Sequence, residues 1–326
     1  MLNIRNRSGL KLCLEAQATG TPRFTLRAII ALITLGACAV SFSAFATQNG
    51  RTHFPVGAQT VIPAIMPPPG HTQYFNYDLF INAGRFADDA GNSAIPGFGA
   101  RVFAQAFRLV HTWKPKLGPF NISSEGVFTL VNTNLNAAGR HFQKLGIADP
   151  TLVPIYVSYG TKTLHFLLGP NIWFPVGTYN SNNPASPGMN YWTFAMEAAV
   201  TWFPIQYVEI SMDSMTSVNT VNTTTDFRSG KNTNFDFGIN WQPLPAYRKI
   251  AFGIQGYWLH QWSDDQQNGV DISGSRTEVL ALGPQVIWYA FPRGGIVFKW
   301  QHKLYARNST EGNQFWIQFT VPVGDF

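Results

Sequence analysis

From Thr72 onward the chain alternates bulky apolar side chains with small or polar ones, and a period of two is the mark of strands with one apolar face. In 190–202 one face reads Trp192, Phe194, Met196, Ala198, Val200 and Trp202, and the other Tyr191, Thr193, Ala195, Glu197, Ala199 and Thr201. In 232–242 the set Thr233, Phe235, Phe237, Ile239 and Trp241 opposes Asn232, Asn234, Asp236, Gly238, Asn240 and Gln242. Near the end of the chain, Ile296, Phe298 and Trp300 oppose Gly295, Val297, Lys299 and Gln301. Twelve such stretches can be counted, at roughly 73–84, 99–113, 119–132, 150–159, 162–174, 190–202, 206–218, 232–242, 250–262, 277–289, 294–302 and 314–323. Alternation is most blurred in the second and tenth. Most have the length of about 9–11 residues that a tilted strand needs to cross a bilayer, or slightly more.

The connections carry more information than the strands. Long ones are expected at 85–98, 133–149, 175–189, 219–231, 263–276 and 303–313. Short ones are expected at 114–118, 160–161, 203–205, 243–249 and 290–293. Six long loops facing five short turns is the arrangement of an outer-membrane barrel with both termini in the periplasm. A soluble sandwich has no physical reason to alternate loop lengths in this way. The expected fold is therefore all-β: a transmembrane antiparallel up-and-down β-barrel of about twelve strands.

Composition agrees. Only 12% of residues are charged, against about 25% in soluble domains, and the chain carries 26 Phe, 11 Tyr and 10 Trp. Mean hydropathy is -0.04, too polar for a helical membrane bundle. Beyond the N-terminus no run reaches the roughly 20 apolar residues of a spanning helix. Trp113, Trp173, Trp192, Trp202, Trp258, Trp262, Trp288 and Trp300 fall near strand ends, where interfacial girdles sit.

The N-terminus has the order of an export signal. Arg23 and Arg27 precede an apolar run from Ala28 to Val40, and small residues end at Ala44-Phe45-Ala46. Residues 1–46 are read as a signal peptide cleaved after Ala46, which implies export in a Gram-negative bacterium. An uncleaved anchor and a lipobox around Cys38 are the alternatives. The leader contains Arg5, Arg7, Lys11, Arg23 and Arg27, so it accounts for most of the formal charge of +6. Nucleic acid is accordingly not an expected partner. Both cysteines, Cys13 and Cys38, fall in the leader as well, so disulfides and thiol chemistry are not expected after cleavage.

Residues 47–70 contain Pro55, Pro63, Pro67, Pro68 and Pro69 and are read as an extended lead-in to a barrel at 71–326. Two placements of the lead-in are open: a periplasmic tail, or a plug folded back into the lumen. The terminal Phe326 resembles the C-terminal residue by which barrel-assembly machinery recognises its clients.

If the bulkier apolar faces meet lipid, the lumen receives Tyr74, Asn76, Asp78, Glu125, His165, Asn171, Glu197, Glu209, Asp213, Asp236, Asn240, Gln255, Tyr257, Gln261, Lys299 and Gln318, with Arg108 joining them. A Lys or Arg on the lipid face at midplane costs about 2–4 kcal/mol, which drives such groups inward. They either fill a narrow barrel with a hydrogen-bonded network or line a pore. No nucleophile–His–acid pattern, helical His pair or phosphate-binding loop is recognisable, so neither an enzyme nor a cofactor or metal is expected.

Several motifs are shared with a known family. They include Gly169-Pro170-Asn171-Ile172-Trp173-Phe174-Pro175-Val176-Gly177-Thr178-Tyr179-Asn180, then Asn190-Tyr191-Trp192 and Thr225-Asp226-Phe227-Arg228-Ser229-Gly230. Gly256-Tyr257 with Gln261, Asp264-Asp265, Gly283-Pro284, Pro67-Pro68-Pro69-Gly70 and Gly146-Ile147-Ala148-Asp149-Pro150 complete the set. Together they resemble the outer-membrane proteins named for the meta-pathway of phenol degradation, over most of residues 60 to 323. The resemblance implies a barrel in contact with outer-membrane lipids and small hydrophobic or aromatic molecules, with passive transport as the expected role. A structural or surface-binding barrel with a filled lumen is the competing expectation.

Overall fold

The computed structural model describes residues 50–243 and 249–325; the expected signal peptide, Cys13, Cys38 and Phe326 lie outside them, as does most of the turn at 243–249. In chain order the strands are β1 (His71–Ala87), β2 (Gly99–Leu117), β3 (Phe120–Ala137), β4 (Arg140–Ile147), β5 (Thr151–Gly160) and β6 (Leu164–Trp173). They continue as β7 (Thr193–Trp202), β8 (Val208–Asn219), β9 (Phe227–Arg228), β10 (Asn232–Trp241) and β11 (Ile250–Gln261). The last are β12 (Asp265–Gln267), β13 (Val270–Ile272), β14 (Glu278–Phe291), β15 (Gly294–Arg307) and β16 (Ser309–Asp325).

Twelve of these close into an antiparallel barrel, each paired with its neighbours in sequence and β1 paired with β16 at the seam. They match the twelve alternating stretches of the sequence. The remaining four elaborate one end. β4 pairs with the upper part of β3 and β5 with its lower part, so the two follow one path, broken at Ala148-Asp149-Pro150. β9, β12 and β13 form a small three-stranded sheet between two loops.

Two expected long loops are largely strand. Residues 133–149 make a hairpin whose turn residues, Ala138 (φ 50) and Gly139 (φ 75), are both left-handed. That conformation suits a two-residue hairpin turn, and Ala at its first position hides the usual Asn-Gly signature. Residues 303–313 run as strand except at Asn308 (φ 47). The barrel wall therefore extends well past the bilayer on this side.

Burial inverts the pattern of a soluble protein. Buried side chains include Glu125, Glu197, Asp213, Asp236, Gln255, Gln285 and Gln301, while Phe194, Met196, Ile239, Phe252, Ile254 and Phe298 are exposed. In a closed single-layer barrel the buried face is the lumen and the exposed apolar face meets lipid. Two belts of exposed tryptophan bound that face. Trp113, Trp202, Trp241 and Trp288 stand at the short-turn end, and Trp192, Trp258, Trp262 and Trp300 at the long-loop end. Trp173 is the exception among the expected girdle residues: it points inward and is buried. Its strand leads into a loop that folds over the mouth, so its ring meets protein, not lipid.

Candidate functional site: the lumen and its internal segment

Residues 50–70 are not an extended tail. They run down the inside of the barrel, starting at the long-loop mouth, where Gly50 lies against Phe86 and Asn308. Arg51 donates to the Ser186 carbonyl (2.7 Å), and His53 lies between Thr193 Oγ1 (2.7 Å) and Asp149 Oδ2 (2.8 Å). Asp149 also accepts the backbone N–H groups of Gly177 and Met189, which ties the loop over the mouth to the same carboxylate. At the other end the Gly70 N–H donates to the Thr112 carbonyl, and β1 begins.

Between these ends the segment's backbone groups are taken up by wall side chains, as a buried irregular chain requires. Asp236 accepts from Gly57 N (2.8 Å) and Gln59 N (2.9 Å). Lys299 Nζ donates to the carbonyls of Ala58 (2.7 Å) and Gly57 (3.2 Å), joined by Gln301 to Gly57 and Gln318 to Ala58. Lower down, Gln285 accepts from the Thr60 hydroxyl (2.9 Å), Glu209 from Ile62 N (2.9 Å) and Thr201 from Ala64 N (3.3 Å). Asn240 links Glu209 to Gln285. The segment makes these contacts only because Gly57 is left-handed at φ 89, with no Cβ to meet the Gln301 amide.

Beside the segment, Arg108 pairs with Glu125 (2.6 Å) and donates to the Tyr77 hydroxyl (2.8 Å). Glu197 accepts from the Tyr156 hydroxyl and from Asn171 (2.8 Å). Asp213 is fully buried against the Glu197 carboxylate, and the equally buried Tyr257 hydroxyl has no hydrogen-bond partner among the described residues. The third kind of surface in the lumen is apolar. Phe54 and Ala58 pack with Leu79, Trp173, Ala195, Met215 and Trp316, with Val56, Tyr77 and Ile81 at the edge.

The structure brings most sequence-derived candidates into this interior. Arg108, Glu125, Asn171, Glu197, Glu209, Asp213, Asp236, Gln255, Tyr257, Gln261 and Lys299 are all buried on the inner face. His165 points inward at the short-turn end, near the Phe203 ring. Tyr74 and Asp78 are corrections. Tyr74 faces outward beside Leu109 and Val321, and Asp78 beside Gln105 and Ile317. The opposite face of β1, with Tyr77, Leu79 and Ile81, packs against the internal segment. Both faces of β1 carry bulky residues, and the lumen there is apolar, so polarity alone chose the wrong face.

Sequence reading also missed Gln285, His53 and Asp149. Gln285 lies in the blurred tenth stretch; the other two precede strands and acquire a role only once the segment turns inward. Burial pushes the His53 imidazole below its ordinary value, opposed by the hydrogen bond to Asp149. Its ring stacks on Trp173 (6.0 Å between centroids) and meets the Tyr191 ring edge-on (5.0 Å).

A closed wall of twelve strands, apolar outside and polar within, between two aromatic belts, defines an integral outer-membrane β-barrel protein. The chain belongs to the family described as "Putative MetA-pathway of phenol degradation", which it matches over residues 83–319. Its fold is similar to that of the COG4313 outer membrane channel from Pseudomonas putida F1, with a TM-score of 0.71 and 12% identity over 80% of this chain and 98% of that one. It is also similar to the transport unit of the autotransporter AIDA-I from Escherichia coli, with a TM-score of 0.46 and 7% identity over 81% and 93% of the two chains. No curated protein sequence matches the chain.

Proposed function

We propose that the protein is a passive outer-membrane uptake channel for small hydrophobic or aromatic compounds, with residues 50–70 as its internal gate. One observation carries this reading: the aromatic ring of Phe54 occupies an apolar niche in the lumen wall, against Leu79, Trp173 and Trp316. When the segment moves, that niche becomes open surface suited to an aromatic solute of similar size. Around it, wall side chains hold the segment by hydrogen bonds to its backbone, each worth about 0.5–1.5 kcal/mol net for the neutral groups and about 1.5–3 kcal/mol for Asp236, Glu209 and Lys299. Such contacts can be released and remade one at a time. The family name points to aromatic compounds as the solute class.

The number of these contacts also favours a second reading, a barrel with a permanently filled lumen and no transport role. Planar-bilayer recordings and uptake of monocyclic aromatics by a deletion strain separate the two. A channel gives conductance that rises when residues 50–66 are deleted, and the strain lacking the protein grows more slowly on limiting aromatic substrate. Silence of both the full barrel and the deletion, with unchanged growth, would exclude transport.

A further inference from the structure

The strand register places a polar hollow on the outer wall, immediately above the lipid-facing belt at the long-loop end. The row Trp300, Phe315, Phe80 and Phe103 is continuous across β15, β16, β1 and β2, and Phe80 and Phe103 pack at 4.9 Å between ring centroids. Two residues further up each strand the outward face changes character. One row becomes Asn82, Arg101, Asn134 and Gln143 across β1 to β4. The next contains Gly99, Asn136 and His141, with Gly84 beyond Asn82 on β1. Gly84 and Gly99 project no side chain, and the surface there is concave: a cavity of about 480 Å³ lined by Asn82, Gly84, Arg101, Asn134, Asn136 and His141.

Its charge is one-sided. Arg101 is exposed and forms no ion pair among the described residues. The adjoining hairpin tip adds Arg140 and Lys144 and has no acid between Asn134 and Ile147. The amides of Asn82 and Asn134, with the NH2 of Asn136, whose Oδ1 already meets His141 Nδ1 (2.8 Å), offer groups of the kind that bind sugar hydroxyls. An arginine and an imidazole beside them suit a phosphate. The position, one step above the aromatic belt and facing away from the lumen, is the headgroup level of the outer leaflet.

We propose that this hollow binds the phosphorylated sugar headgroup of an outer-leaflet glycolipid, holding one lipid molecule against β1–β4. The site is independent of the lumen and of the transport reading. Its test uses the folded, full-length mature barrel in detergent, followed by native mass spectrometry. The probes are bis-phosphorylated lipid A, the same lipid without phosphates, and inorganic phosphate. The wild-type barrel retains the phosphorylated lipid about ten-fold better than the dephosphorylated one, the factor expected for a charge-assisted contact. Arg101→Gln with His141→Gln abolishes that preference. Gly84→Leu, which fills the hollow where a Cβ meets nothing within 4 Å, abolishes it with every charge in place. Heat-dependent gel mobility verifies that each variant is folded. Equal retention by wild type and either variant, indifference to the lipid phosphates, or binding of inorganic phosphate without a preference for the lipid would each overturn the proposal.

Discussion

The carboxylate of Asp236 on the barrel wall accepts the backbone N–H of Gly57 at 2.8 Å, and its second oxygen takes Gln59 N at 2.9 Å. One side chain thus satisfies two donors of a segment remote in sequence. Asp236→Asn keeps the shape but loses the charge and one acceptor, leaving an N–H unpaired at a cost of about 1–3 kcal/mol. The barrel should still fold, since the wall pairing is untouched. Planar-bilayer recordings should show longer and more frequent openings; an unaltered trace would mean that the segment is not held at this point.

Gly57 supports the same conclusion from the other side. Its φ of 89 and its approach to the Gln301 amide leave no room for a methyl group. Gly57→Ala should displace the middle of the segment and raise the rate of labelling of a cysteine placed at Val56 by a small thiol reagent. Gly84→Ala, in open space on the outer wall, serves as the silent control. Equal labelling in both variants would contradict this close fit.

His53 makes docking at the mouth sensitive to pH. Its imidazole is held below the ordinary value of 6.5 by burial, with Arg51 adding to the effect and Asp149 opposing it. The undocked segment therefore takes up a proton more readily than the docked one, so acid favours undocking. Docking should be complete above about pH 7 and should weaken as pH falls through the ordinary histidine range. A spin label at residue 52 should gain mobility between pH 7.5 and 5, and His53→Gln should remove the dependence. A label equally immobile at both pH values would rule the effect out.

Asp78 faces lipid between Ile317 and Gln105, and one of its carboxylate oxygens is buried without a partner. A carboxylate on this face is unfavourable, though less so than a Lys or Arg, which costs about 2–4 kcal/mol at the midplane. Asp78→Leu should accordingly raise the midpoint of guanidinium unfolding in lipid vesicles. A lowered midpoint would show that Asp78 has a stabilising partner in the membrane.

How much of this could be read in advance differs between wall and interior. Every barrel strand was legible, because a wall one layer thick must alternate, and alternation is a local property of sequence. The inward direction of Glu197, Asp213 and Asp236 followed from the cost of charge in lipid. β1 failed the same reasoning because its inner face touches Phe54 and Val56, so it is apolar for a reason that lies in another segment. For residues 50–70 a tail and a plug both stayed open. A proline-rich stretch has no periodicity, and its partners, from Asp149 to Gln318, are scattered over most of the chain.

The direction in which that segment runs bears on how a gate of this kind would operate. Its foot is joined to β1 at Gly70, and Gly50 lies at the opposite mouth. It is a ligand on a tether of about twenty residues, present in its own lumen at an effective concentration on the order of millimolar. Any solute seeking the Phe54 niche competes with that fixed concentration, however much protein the membrane holds. Weak-binding solutes would then pass in brief intervals between redocking events, and occlusion would be the resting condition at every expression level.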